Sequence, residues 1–547
     1  MGPAPVKRLL PLLAALASQT QATTVRSPTP PMGWNSYNTY NCLPTEDDIK
    51  SNAEAIVRLG LADLGYSSVT TDCGWMTTER GADGRLQWNE TLFPSGGKAL
   101  GDAIHELGLE FGLYSGAGYY QCGSTDLPAS LGYEEIDAAS FAEWGGDTLK
   151  YDNCYSTSPN NMVDADSEES RSPARFQKMA AELDSVDRDI KYFICQWGIG
   201  FNVGEWASEI GNTWRISNDI YNGWRSIWRI TNEAVRYYKH TTVGAFADWD
   251  MLTVGLGGLS YEEERFHFGM WAIGKSPLLI GADLGRISEE SLAVLSNEEI
   301  IAINQDPLAK QAQLVRRHTE EEWDVFLGEL SGSRLVLAVA NWRNESQTVE
   351  VDLASYGIAS ATARNVWKAT DLGVISGQQT IGLEGHELQI LVLSDISEAT
   401  PPQSVGYYPA AEADLRGSAQ LMGCSPGDCE PVGSKVGYIG SDGGVTFSSV
   451  QASSSGTKLL GIDYINYEYD FHTAWGWGTN TRNMTVSVNG GEEKRWAFPV
   501  SGGDWWETGR LMIEVDGFEE GEDNQVAFGA FADGEWAPDL VGLEVFE

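Results

Sequence analysis

Thr148-Leu149-Lys150-Tyr151-Asp152-Asn153-Cys154 is the stretch that decides the fold. It is a short apolar and aromatic run that ends in polar residues, and a segment of helical period follows at 173–186. In a strand alternate side chains face one side, so Lys150 and Asp152 share a face. Runs of the same character stand at 32–37, 68–75, 111–116, 192–198, 213–219, 245–252 and 278–283. Helices are expected between them at 46–59, 136–144, 222–238 and 261–273. Eight strand–helix units in about 275 residues predict an α/β fold, a (β/α)8 TIM barrel over 28–308. A doubly wound sheet alternates too, but no Gly-rich phosphate turn follows the first strand.

In such a barrel the C-terminal ends of the strands share one face and build the active site. The polar residues cluster at those ends: Asp72, Tyr114, Lys150, Asp152, Gln196, Arg215, Asp219 and Asp250. Their convergence points to an enzyme. Cleaving a glycosidic bond takes two carboxyl groups, one ionised and one able to give a proton. Asp152 and Asp219, on two strands, supply that pair, and Lys150 favours the ionised form of the first. Each has a plainer alternative: a buried ion pair for Lys150 and Asp152, a helix cap for Asp219. Trp34, Trp75, Tyr114 and Trp197 fall at strand ends, where rings stack on sugars or simply fill a core. Asp72 is placed to grip vicinal hydroxyls.

Composition narrows the partners. With 78 acidic against 36 basic residues, the net charge of -42 repels nucleic acid and anionic membranes but not a neutral sugar. Lys7 and Arg8 precede an apolar run at 9–17, which reads as a signal peptide over 1–22, cleaved after Ala17 or Ala22. No later apolar stretch is long enough to span a bilayer. Secretion is therefore expected, with N-glycosylation at the sequons of Asn89, Asn344 and Asn483. Seven cysteines in an oxidising compartment suggest three bridges and one leftover thiol. Six histidines without a CxxC or HExxH pattern give no metal site, and no GxSxG elbow appears.

After Asp306-Pro307 the pattern changes to short strands without helices, at 325–330, 334–341, 348–353, 363–367 and 387–393. An antiparallel β-domain over 309–396 is expected. Pro401-Pro402 marks a linker over 397–406, and the Gly- and Trp-rich remainder, 407–547, reads as a β-sandwich.

Six motifs now stand in order at barrel-strand positions: Pro31-Met32-Gly33-Trp34-Asn35-Ser36, Asp72-Cys73, Gly112-Leu113-Tyr114-Ser115, Lys150-Tyr151-Asp152-Asn153-Cys154, Cys195-Gln196-Trp197 and Arg215-Ile216-Ser217-Asn218-Asp219-Ile220. Together they resemble family 27 glycoside hydrolases, a family of retaining α-galactosidases and α-N-acetylgalactosaminidases. The resemblance covers about 28–396. It implies that Asp152 is the nucleophile and Asp219 the acid/base, in a galactose pocket lined by Trp34, Asp72, Tyr114, Lys150 and Arg215. Gln196 and Trp197 are expected to bind substrate, and Cys195, Gln196 and Trp197 to limit bulk at C2. The family's bridges, mapped onto matching cysteines, pair Cys42 with Cys73 and Cys122 with Cys154. Cys195 is left free, and Cys424 pairs with Cys429.

Two departures bear on specificity. Many relatives carry two aspartates before the cysteine of the second strand, where this chain has Thr71-Asp72, and many carry Glu at the position of Gln196. The first touches recognition of the 6-hydroxymethyl group, so a β-L-arabinopyranosidase is an alternative within the family. Raffinose-type oligosaccharides, galactomannan side chains and glycoconjugates all remain open as substrates. The last domain is similar to family 35 carbohydrate-binding modules, at 408–413 and 537–545. That resemblance implies a plant polysaccharide as partner and a structural calcium with oxygens from Glu412 and Asp539. Trp475, Trp477, Trp505, Trp506 and Trp536 are candidates for sugar stacking or for core. A catalytically dead lectin is the rival from another class, but a lectin has no need of a second carboxyl group.

Overall fold

The computed structural model describes residues 27–124, 126–160, 172–198, 202–468 and 480–547. The expected signal peptide, Trp475 and Trp477 lie outside them. Eight parallel strands follow in order: β1 (Met32–Asn35), β2 (Ser68–Thr70), β3 (Glu110–Gly116), β4 (Thr148–Asp152), β5 (Lys191–Cys195), β6 (Thr213–Arg215), β7 (Phe246–Asp248) and β8 (Leu278–Ile280). From β1 to β7 each strand pairs with the next, and β1 also pairs with β8. A single parallel bridge, Leu252 to Ile280, joins the segment after β7 to β8 and closes the ring. This is the expected TIM barrel.

The interior is so tight that some positions take no side chain. A Cβ on Gly112 of β3 would lie 2.2 Å from Thr70 Oγ1 on β2 and 2.6 Å from Thr148 Oγ1 on β4. Only hydrogen fits there. The strands end earlier than the apolar runs. The run 213–219 is strand only to Arg215, and 68–75 only to Thr70, because the polar tails turn to local partners; Asp72 N–H, for example, donates to Ser36 Oγ.

Two helices carry capping boxes legible in the sequence. Thr45 and Asp48 open the helix Glu46–Arg58, and Ser260 and Glu263 open Tyr261–Ile273. Acidic first turns favour both N-termini. The expected helix at 222–238 divides into Trp224–Ala234 and a tighter 3-10 turn, Val235–Lys239. Gly96–Glu106 and Val203–Ile210 complete units whose helices the sequence pattern does not mark. The first opens on two glycines and the second is only eight residues long.

Beyond the barrel, a six-stranded antiparallel sheet runs in the order Thr370–Ser376, Ile358–Asn365, Leu388–Glu398, Arg334–Asn341, Trp323–Leu330, Gln313–His318. A hairpin-like pair, Gln347–Asp352 with Gln378–Leu383, covers it. Side chains of this sheet, among them Phe326, Val336 and Ile390, belong to the same apolar cluster as the barrel core. The stretch 397–406 is less of a linker than its prolines suggest. Leu388–Glu398 and Ser404–Pro409 are both strands, and Gln403 exchanges backbone hydrogen bonds of 2.6 and 2.9 Å with Glu547.

The last domain is the expected sandwich of two antiparallel sheets. One contains Gly456–Ile465 paired with Asp539–Phe546 and Gly509–Phe518, and the other Gly521–Ala530 between Gly444–Ala452 and Thr481–Val488. Between them lies an apolar cluster of its own, including Phe447, Leu460, Val486 and Phe528. The oxygens expected to share a calcium have different surroundings. Asp539 forms an ion pair with Lys435 at 2.8 Å, while Glu412 is exposed. Trp506 and Trp536 are 40% and 48% exposed, and Trp505 lies under the Arg482 guanidinium. Of the sequon asparagines, Asn344 is exposed, and Asn89 and Asn483 are half-buried.

Candidate active site

The C-terminal ends of the strands surround a small cleft. From β2 come Asp72 and Cys73, from β3 Tyr114, and from β4 Lys150 and Asp152. Arg215 and Asp219 reach it from β6, Asp250 and Met251 from the end of β7, and Tyr37 and Asn38 from the end of β1. The parity read from sequence is that of the register, in which Lys150 lies beside Tyr114 and Asp152 beside Gly116.

Asp152 is almost wholly buried. Its Oδ2 accepts from the Tyr114 hydroxyl at 3.0 Å and its Oδ1 from Asn153 N–H at 2.9 Å. Burial pushes the carboxyl above its ordinary range, Lys150 opposes that, and the Asp219 charge adds to it. Lys150 is not bonded to Asp152, as adjacency in sequence suggests. Its ammonium pairs with Asp72 Oδ2 at 2.8 Å, an oxygen that also accepts from Asn35 Nδ2 at 2.8 Å. The lysine's own burial works against its charge, yet Asp72 and the other negative groups around it together hold it above the usual lysine range.

Arg215 lies between two carboxylates, 2.6 Å from Asp219 and 2.7 Å from Asp250. Asp250 also accepts from Ile220 N–H at 2.6 Å, so it fixes both the guanidinium and the loop carrying Asp219. Burial, set against Arg215, moves the Asp250 carboxyl up to about 6. Tyr37 is pushed up to about 12 by burial and by the charge of Asp219. Asp250 belongs to the polar set legible at the strand ends, but its bond to Arg215 has no signature in the sequence. Tyr37 and Asn38 carry no signal beyond following β1.

Three expected lining residues stand behind the cleft. Trp34 is fully buried in the barrel core, with its indole N–H on Ala282 O at 2.8 Å. Gln196 is also fully buried. Its Oε1 accepts from Gly198 N–H and its Nε2 donates to Ser172 Oγ. Trp197 packs with Cys154, Tyr155 and Cys195. The strand ends at Cys195, and Trp197 and Gly198 both take φ of +74°, so alternation cannot be carried past the end of β5. Cys195, Gln196 and Trp197, expected to limit bulk at C2, are all buried, and none is among the residues that wall the cleft.

The bridges are those expected: Cys42–Cys73, Cys122–Cys154 and Cys424–Cys429, with Cys195 free and buried. Cys73 and Cys122 belong to the wall of the cleft, so two bridges staple the loops that shape it. Closing a loop of sequence separation 32 is worth about 3–4 kcal/mol in the chain-entropy picture. Among the described residues, Cys122, Asp152 and Cys154 are the one group of three close enough for a metal, and two of them are bonded to each other.

A TIM barrel whose mouth gathers Asp152 and Asp219 holds the two carboxyl groups that a glycoside hydrolase needs. The alpha galactosidase A family model matches residues 29–306, and that of the alpha galactosidase C-terminal beta sandwich domain matches 320–393. The chain belongs to the α-galactosidase family. It is 40% identical to a probable alpha-galactosidase D of Aspergillus fumigatus, over 98% of this chain and 99% of that protein. Among solved structures, α-galactosidase I from Mortierella vinacea is 33% identical with a TM-score of 0.64, covering 68% of this chain and 99% of that one. The α-galactosidase of Saccharomyces cerevisiae with raffinose is 26% identical with a TM-score of 0.61, covering 68% and 98%.

Proposed function

We propose that the chain is a retaining exo-glycosidase that releases terminal, non-reducing α-D-galactosyl residues through a covalent glycosyl-enzyme. The observation that carries this reading is that one cleft is walled by both Asp152 and Asp219, with Asp72 and Lys150 beside them. Asp152 attacks the anomeric carbon as Asp219 gives its proton to the leaving oxygen. In the second half Asp219 takes a proton from water, whose oxygen displaces Asp152. Tyr114 and the Asn153 N–H steady the charge on Asp152 while it waits.

The joined Asp72 and Lys150 suit the axial 4-hydroxyl of galactose, accepting from it and donating to it. A glucoside leaves these buried groups without that partner, which costs a few kcal/mol, or about 10²-fold in kcat/KM. The raffinose held by the yeast relative makes raffinose-type oligosaccharides the first natural substrates to try, followed by galactomannan side chains and glycoconjugates. We also read the protein as exported and N-glycosylated at Asn89, Asn344 and Asn483. The solvent-facing Trp506 and Trp536 support plant polysaccharide as the sandwich's ligand.

The test is a panel of p-nitrophenyl α-galactoside, α-N-acetylgalactosaminide and β-L-arabinopyranoside with the wild type and Asp152→Asn. The α-galactoside is expected to be best and the arabinopyranoside second, because Thr71 stands where relatives place a carboxylate near C6. Asp152→Asn is expected to leave less than about 1% of turnover with the fold intact. An arabinopyranoside preferred tenfold changes the substrate assignment, and a variant retaining more than a few per cent removes Asp152 as nucleophile.

A further inference from the structure

The segment bearing Asp219 is held from behind as well as from the barrel. Arg229, on the helix Trp224–Ala234, donates to Asn218 Oδ1 at 2.6 Å and to Asp219 O at 3.0 Å. It is paired at 3.1 Å with Glu233, one turn on, and each side chain is 1% exposed. A buried guanidinium keeps a fixed direction only if its counter-charge is fixed. What fixes Glu233 lies 247 residues away: Asn480 Nδ2, at the start of the sandwich strand Thr481–Val488, donates to Glu233 Oε1.

Neighbouring contacts run the same way. Asn232 O accepts from Val500 N–H of the sandwich at 3.3 Å, and Arg236 donates to Gly502 O. The end of this helix is thus tied to the last domain at Asn232 and Glu233, and the 3-10 turn after it at Arg236, while Arg229 carries the tie to the loop of Asp219.

We propose that the C-terminal sandwich positions the acid/base of the barrel: Asn480, through Glu233 and Arg229, sets the direction of the Asn218–Asp219 backbone. Arg229, Glu233 and Asn480 are positioning residues and touch no substrate. The proposal rests on the reading of Asp219 as acid/base and adds a role for the sandwich that is independent of any polysaccharide it holds.

The experiment uses the full chain. Wild type, Asn480→Ala, Arg229→Lys and Asp219→Ala are assayed on aryl α-galactosides of graded leaving-group pKa and on raffinose. Asn480→Ala removes one neutral amide and is expected to fold. Its kcat/KM is expected to fall about tenfold on raffinose, but less than twofold on the most activated aryl galactoside. KM should change little, and the dependence on leaving group should steepen. Arg229→Lys keeps the charge, loses the forked donor, and is expected to show a larger effect of the same pattern.

If Asn480→Ala loses nothing, or loses equally on every leaving group, the positioning role is overturned, whether or not Arg229→Lys folds. Asp219→Ala separates the two readings. A flat loss there removes Asp219 as acid/base, whereas a steep loss there with a flat one in Asn480→Ala removes only the role of the sandwich.

Discussion

Tyr114 is the side chain through which the charge of Asp152 is most open to manipulation. Its hydroxyl donates to the carboxylate at 3.0 Å, inside a site where burial already disfavours the anion. The bond stabilises the ionised form alone, so removing it raises the Asp152 pKa further. Tyr114→Phe is accordingly expected to move the acid limb of kcat/KM to higher pH. Its kcat/KM at the optimum should fall roughly 10- to 100-fold, the worth of a hydrogen bond to a charged group. A pH–rate profile of the variant checks both, and an unmoved limb means that the limb does not report Asp152. The ordinary titration range of a carboxylate is a poor guide here, because the surroundings set the proton affinity.

At the scale of elements, the helix Tyr261–Ile273 couples the barrel wall to pH. His267 on its buried face accepts from Thr253 N–H at 3.0 Å, and burial lowers its pKa from 6.5 to about 3. The unfolded chain binds a proton below pH 6.5 where the folded one does not. Stability from this group is complete above that pH and is lost as pH falls, at about 1.4 kcal/mol per unit. Between pH 6.5 and 4 the wild type should lose about 3 kcal/mol that His267→Gln does not lose. Denaturant unfolding at the two pH values measures the difference, and parallel losses in both proteins would reject the linkage.

Much of this element is legible in the sequence. Ser260 and Glu263 mark its start, and the eight runs mark the barrel, because capping and burial leave residue types at fixed spacings. On β4 the alternation also places Lys150 and Asp152 correctly on the cleft side. It fails past Cys195, where the strand ends and Trp197 and Gly198 take positive φ, and neither Gln196 nor Trp197 is among the residues that wall the cleft. Pairings between strands escape as well. Nothing local says that Lys150 belongs to Asp72 or Asp250 to Arg215, since each bond depends on which strands the closed ring brings together.

At the scale of the molecule, two kinds of joint hold three domains. The barrel and the middle sheet share one apolar cluster, whereas the sandwich has its own core, against which Leu314 of the middle sheet packs, and is tied to the others by hydrogen bonds as well. Arg317, 1% exposed, is the hub. It pairs with Asp324 at 2.8 Å and donates to Asn232 Oδ1 of the barrel at 2.8 Å and to Ala497 O of the sandwich at 3.0 Å. Arg317→Met leaves Asp324 buried and unpaired, at a cost of about 3–5 kcal/mol. Calorimetry is expected to show the sandwich melting apart from the rest in this variant. One unchanged transition would mean that apolar contacts suffice to couple the domains.

The single bridge that closes the barrel, Leu252 to Ile280, gives the ring a seam. A cylinder of hydrogen bonds fluctuates most where it is least stitched. The seam runs directly after Asp250 and Met251, which wall the cleft, so the least stitched part of the ring is also part of its mouth.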